Sequence, residues 1–292
     1  MRTVFTPLLW AFLLVASAGP AAAQLDQVDW GSDLEFIATE LPELHIDLFR
    51  QQSEADFNAR VNQLRSDITD MSGVQAALAL QELVASVGDG HTSLNVDSKY
   101  LRYFPLNLKW FDDGIFVTVA DAELSRLVQA KLVSINGVET DAILERLKQL
   151  LPHDNEFGFR NIIDNQFNTA DYLQYAGALD NSESAQFVFE KDGEQFSEVI
   201  ESRPVSEFGS IRWHTGGEPP LCFHKQSLNF WNDWIADHNT VYFKYNSCRD
   251  AAGFNRLVQG TSGFVGQNRV EKFVLDLRHN GGGNSAIFAP LF

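Results

Sequence analysis

The sequence predicts a chain that is α+β and then α/β: a helical N-terminal region, a β-rich middle, and the start of an α/β core near the C-terminus. Three observations carry this expectation. Apolar residues recur at helical spacing between Asp33 and Val87; strand-like runs between Leu106 and Phe196 are separated by Asp-Gly and Asn-Gly pairs; and a continuous apolar run, Lys272 to Leu277, leads through a glycine-rich turn into another helical stripe. The 292 residues leave room for about two domains of roughly 150 residues each. A hydrophobic fraction of 45%, with 23 Phe, 6 Trp and 6 Tyr, excludes a disordered or low-complexity chain.

Residues 1–23 combine Arg2, an apolar run from Leu8 to Ala18, a Gly19-Pro20 break and Ala21-Ala22-Ala23, the pattern of a secretory signal peptide cleaved after Ala23. The run is shorter than the about 20 apolar residues that span a bilayer. The mature chain, beginning at Gln24, is therefore expected in the periplasm or outside the cell, without membrane insertion. Residues 24–98 read as the helical region. Phe57, Val61, Leu64 and Ile68 follow Ser53 as an N-cap with Asp56 three residues on. A second helix from about Val74 carries Ala77, Leu80, Leu83, Val84 and Val87 inward and stops where Gly88 takes the left-handed C′ position.

Residues 99–220 read as the β-rich middle. Leu106, Leu108 and Trp110 alternate, Asp113-Gly114 turns the chain, and Ile115 to Val119 returns as a hairpin. Asn136-Gly137 and Asp192-Gly193 mark two further turns, and between them Thr140-Asp141 caps a helix over Ala142 to Leu151. Pro204, Gly209, Gly216, Gly217, Pro219 and Pro220 mark a loop crossing into the last unit, residues 221–292. There Val241, Phe243 and Tyr245 alternate as a strand, Ala251 to Asn268 is loosely helical, and Lys272 to Leu277 has the composition of a strand covered on both faces. Ile287, Phe288, Leu291 and Phe292 form a helical stripe that ends without a cap after one βα step, so the chain is expected to be a fragment of a longer protein.

A net charge of −17 argues against nucleic acid and anionic membrane surfaces as partners. Two cysteines, Cys222 and Cys248, exclude a disulfide scaffold; an oxidising compartment permits them to pair, and two small buried hydrophobes is the other reading. His45, His153, His214, His224, His238 and His279 lack HExxH or Cys/His ligand spacing, so neither a metal nor another cofactor is expected. Neither Gly-x-Ser-x-Gly nor Ser-x-x-Lys occurs.

Two motifs remain. Gly281-Gly282-Gly283, at the mouth of an apolar strand, lets backbone approach a ligand closely and aims N–H groups at it in the field of the following helix. Such a turn suits an anion. The Lys-Ser/Thr ending and spaced glycines of nucleotide turns are missing; a developing oxyanion in acyl transfer is the other candidate, and a tight turn with Asn284 or Ser285 as N-cap is the purely structural alternative. Gly88-Asp89-Gly90-His91-Thr92-Ser93 places an acid between two glycines, then a histidine and two hydroxyls, on a loop where a helix ends. A lone loop histidine is more often a hydrogen-bonded structural residue.

Gly88-Asp89-Gly90-His91-Thr92, Val133-Ser134-Ile135-Asn136-Gly137-Val138 and Val274 to Gly283 together resemble the tail-specific, or C-terminal processing, serine protease family, which includes tricorn-like proteases and the interphotoreceptor retinoid-binding protein repeats. The resemblance runs from about residue 33 to the end and is most specific at Asp276-Leu277-Arg278-His279-Asn280-Gly281-Gly282-Gly283. It implies a crotonase-like α/β core, here truncated, a PDZ-like peptide-binding element around Asn136-Gly137, and a polypeptide substrate. It implies a serine nucleophile a few tens of residues past the glycine turn, outside this chain. It further implies that Gly281, Gly282 and Gly283 lend a backbone N–H to an oxyanion hole. His91 matches the histidine that tricorn-like members use as general base, where many members use a downstream lysine. The expected function is thus a secreted or periplasmic serine endopeptidase working through an acyl-enzyme, of which this portion alone is inactive. A non-catalytic protein binding a peptide tail or apolar ligand on the same scaffold, in a cleft lined by phenylalanines, is the alternative. Ser285, inside the turn, is expected to cap the last helix rather than act as nucleophile.

Overall fold

In the computed structural model, which describes residues 22–291, each N-terminal helix starts where a side-chain oxygen meets a free N–H. Asp29 caps α1 (Trp30–Leu44) through Ser32 N, and Ser53 caps α2 (Glu54–Asp67) through Asp56 N at 3.1 Å. A reciprocal capping box of Ser72 and Gln75 opens α3 (Gly73–Ala85). That helix ends as its sequence suggests, with Gly88 at φ +72° and its N–H donating to Ala85 O. Leu34, Phe57, Val61, Leu80 and Leu83 bury together as the core of these helices. The signal-peptide pattern lies outside the described residues apart from Ala22 and Ala23. No helix among the described residues is long and apolar enough to cross a membrane.

The middle of the chain is an antiparallel sheet. A short ladder joins β1 (Arg102–Tyr103) to β8 (Arg203–Pro204). Strands β2 (Leu106–Phe111), β3 (Gly114–Asp121), β4 (Lys131–Ile135), β6 (Ser184–Lys191) and β7 (Glu194–Glu201) lie side by side in that order, with β5 (Val138–Glu139) on β4 and β9 (Trp213–His214) on β3. Asn136 and Gly137 (φ +47° and +77°) and Asp192 and Gly193 (φ +54° and +81°) supply the paired positive φ values of type I′ hairpin turns. The first hairpin turns one residue earlier than expected. Phe111 faces Gly114, so Asp112-Asp113 make the turn and Gly114 opens β3.

Helix α4 (Thr140–Leu150) buries Ile143, Leu144 and Leu147, but Thr140 does not cap it. Its hydroxyl donates instead to Val133 O at 2.8 Å, tying the helix to β4. Two helices that the turn pattern did not reveal, α5 (Glu156–Ile163) and α6 (Ala170–Tyr175), add Phe159, Ile163, Tyr172 and Leu173 to the core that holds Phe104, Phe187 and Phe189.

The chain divides into two units at Gly216 and Gly217, within the Pro- and Gly-rich stretch. In the second unit β10 (Phe230–Ile235) pairs antiparallel with β11 (Thr240–Tyr245); α7 (Ala251–Gln267) then connects β11 to β12 (Lys272–Asp276), which runs parallel to it. Every residue of β11 is buried. The expectation that Lys272 to Leu277 is covered on both faces is corrected: Phe273 is 44% and Val274 41% exposed, and among the described residues β12 pairs with β11 alone. Ser285–Leu291 is a 3-10 helix containing Pro290, and Asn284 rather than Ser285 caps it, accepting from Ala286 N at 3.1 Å. Phe292 lies outside the described residues. Cys222 and Cys248 are both free thiols, Cys222 buried and Cys248 partly exposed.

Candidate functional site

Two ionisable side chains sit in the second unit where apolar ones are the rule. Lys244 on β11 and Asp276 at the end of β12 stand in register, their side chains 0% and 3% exposed. Burying either alone would cost several kcal/mol, and here each has partners. Lys244 Nζ lies 3.4 Å from Asp276 Oδ1 and donates to Arg278 O. Asp276 also accepts from Tyr242 OH at 2.5 Å, Arg278 Nη2 at 2.6 Å and Arg278 N at 2.9 Å. Burial pushes the Asp276 carboxyl up, but the bonds from Arg278 and Tyr242 and the charge of Lys244 outweigh it and hold the group below the usual carboxylate range.

The glycine turn springs from this cluster. Asn280 donates through Nδ2 to Tyr245 O at 2.8 Å and accepts through Oδ1 from Gly282 N at 2.7 Å. Gly281 N donates to Asn246 O at 3.1 Å, Cys248 N to Gly282 O at 2.8 Å, and Asn284 N to Cys248 O at 3.1 Å. Gly282 and Gly283 have φ of +83° and +119°, and a Cβ on Gly283 would lie 2.6 Å from Cys248 O, so glycine is required there. Of the three N–H groups expected to face a ligand, those of Gly281 and Gly282 are therefore occupied by the protein's own oxygens. The N–H of Gly283, an exposed residue, has no partner among the described residues.

His91 belongs to the first unit, and its side chain is 93% exposed. Beside it the Asp89 carboxylate accepts from His91 N at 2.9 Å, Thr92 Oγ1 at 2.7 Å and His45 Nε2 at 3.2 Å. Because His45 Nδ1 accepts from Asp47 N, the tautomer that satisfies both contacts carries its proton on Nε2. The His91 N–H, then Thr92, then His45 lower the Asp89 pKa from 3.8 to about 2. His91 Nδ1 lies 3.8 Å from Asp89 Oδ1, and Gly90 N donates to Asp154 Oδ1 at 2.8 Å. The loop borders a cavity of about 300 Å³ lined by Gln51, Gly88, Lys148, His153 and Asp154 among others, and His91 is not part of that lining. Among the described residues no group of three or more His, Cys, Asp or Glu is placed to hold a metal.

The Asp89 shift has a consequence in acid. Its folded pKa lies below the unfolded one, so the stabilisation is complete above about pH 4 and is lost as pH falls through about 2. Hydrogen exchange at His91 N is expected to be protected between pH 5 and 8, allowing for the intrinsic pH dependence, and to lose that protection between about pH 4 and 2. Protection that persists at pH 2 would contradict the assignment.

The sequence singles out His91 and the glycines but gives no role to the residues that hold their loops: His45, Lys244, Asn246 and Asn280. One signal was available. Lys244 occupies an otherwise apolar strand, Val241 to Tyr245, and Asp276 interrupts another, and a charge at an interior strand position needs a partner.

No protein-family model and no curated protein matches the chain. In structure the chain is similar to mature CPAF complexed with lactacystin, with a TM-score of 0.54 and 12% identity over 94% of this chain and 59% of that one. Mature CPAF gives 0.52 and 12% over 91% and 57%, and a serine-to-alanine CPAF mutant 0.54 and 11% over 92% and 58%. The chain thus spans less than two thirds of the length of the CPAF chains it matches. At this identity the likeness is one of fold, and it joins the motif resemblance to a shared architecture: over most of its length this chain is folded like part of CPAF, a chlamydial protease of the tail-specific protease family.

Proposed function

We propose that this chain is the N-terminal portion of a secreted or periplasmic serine-type endopeptidase, which hydrolyses polypeptides through an acyl-enzyme with a serine supplied from outside these residues. The observation that carries the reading is the N–H of the exposed Gly283: without a partner among the described residues, and mounted on a turn whose neighbouring donors are tied down on both sides. A donor fixed before the substrate arrives needs no reorganisation as an oxyanion develops, and removing one such donor lowers turnover by about 10²- to 10³-fold. The CPAF-like fold supports the same reading. So does His91, an exposed imidazole on a loop held by a charged Asp89, suited to take a proton from a nucleophile brought within reach. The alternative, a cleft lined by phenylalanines, finds less support, because Phe57, Phe104, Phe159, Phe167, Phe187 and Phe189 are fully buried in cores.

Reading the gene past the Phe292 codon and assaying both lengths of protein tests the proposal. The 292-residue chain is expected to hydrolyse no peptide, and the extended protein to do so. Robust hydrolysis by the short chain overturns it, as does an extension with no serine in a strand-to-helix turn within the next several tens of residues.

A further inference from the structure

We propose that Asn280 and Lys244 are positioning residues that hold the Gly283 N–H in place; this deepens the reading above and rests on it. Three consecutive glycines are the most mobile backbone a chain can build, and a mobile N–H cannot be aimed. Here the mobility is removed from outside the turn. Asn280 uses both ends of its amide, one on Tyr245 O of β11 and one on Gly282 N, so it ties the strand to the residue just before the donor. Lys244, fully buried, holds Arg278 O and so fixes the point where the turn leaves β12. Cys248 closes the far side through Gly282 O and Asn284 N. Gly283 N–H is what this scheme leaves over. The amide is thereby left with no partner among the described residues, between two neighbours that are fixed.

The test uses the ¹⁵N-labelled 292-residue chain. The wild-type Gly283 amide is expected to be rigid, with an order parameter of about 0.85, and to fall below about 0.6 in Asn280→Ala. Asn280→Asp keeps the acceptor for Gly282 N and should restore part of that order. Lys244→Met, which keeps the stem and leaves Asp276 paired with Arg278 and Tyr242, should loosen Gly283 in the same way. Acetate, as a carboxylate probe, is expected to shift the Gly283 resonance in the wild type and to bind about tenfold more weakly in Asn280→Ala and Lys244→Met, a difference of about 1.4 kcal/mol. If acetate leaves wild-type Gly283 unmoved, the donor reading fails. If acetate moves it equally in all the proteins and the order parameters agree, the positioning role fails while the donor reading stands. Should Asn280→Ala lose its fold by circular dichroism, Asn280→Asp and Lys244→Met decide the matter.

Discussion

Asp276→Ala is expected to destabilise the second unit by about 3–5 kcal/mol, a large part of the about 5–15 kcal/mol that holds a typical domain together. The reason is what the substitution leaves behind. Lys244 has no exposed side-chain surface, and without Asp276 its ammonium would keep one carbonyl, that of Arg278, as a partner in the network. Tyr242 OH would lose its acceptor at the same time. Chemical denaturation followed by hydrogen exchange at the β11 amides measures the cost, and a loss below about 1 kcal/mol would show that the pair is not closed to water. The double variant Lys244→Met with Asp276→Leu should recover most of the stability, since it removes both charges. Turn geometry should not return with it, because the double variant supplies no donor to Arg278 O. The contrast separates the energy of the buried pair from its effect on the turn.

The parts of this fold that were legible in the sequence are those set by neighbours along the chain. Ser53 caps α2 because its oxygen reaches an N–H three residues on, and Asn136-Gly137 turns because both residues accept positive φ. The parts that were not legible depend on distant partners. An apolar run such as Lys272 to Leu277 announces a strand, but what packs on its faces decides whether it is covered, and Phe273 and Val274 are both exposed among the described residues. The same limit applies to the site. Three adjacent glycines advertise three N–H groups, and two of them are taken: Gly281 N by the distant Asn246 O, and Gly282 N by Asn280, whose amide is itself held by the distant Tyr245 O. His45, 44 residues before Asp89, was passed over because it matched no metal spacing, and its part in the loop is visible only once α1 and the loop are folded.

His91→Ala in the extended protein is expected to lower kcat by about 10⁴- to 10⁶-fold, the range seen when the base of a nucleophile–base pair is removed. KM should change little, because an imidazole acting on the nucleophile's proton contributes to the transition state rather than to substrate binding. The fold should not change either. The side chain is 93% exposed, and the bond that ties the loop to Asp89 comes from the His91 backbone N–H, which alanine retains. Thermal unfolding within about 0.5 kcal/mol of the wild type is therefore expected alongside the loss of turnover. Equal turnover in the two proteins would remove His91 as the base and transfer the role to a lysine outside these residues. A matched fall in stability and turnover would instead identify His91 as a support of the loop. The Asp89→Asn variant completes the comparison. It keeps the volume of the side chain but loses the charge that faces His91 Nδ1 at 3.8 Å, and it should lower kcat by less than His91→Ala, since the imidazole itself remains.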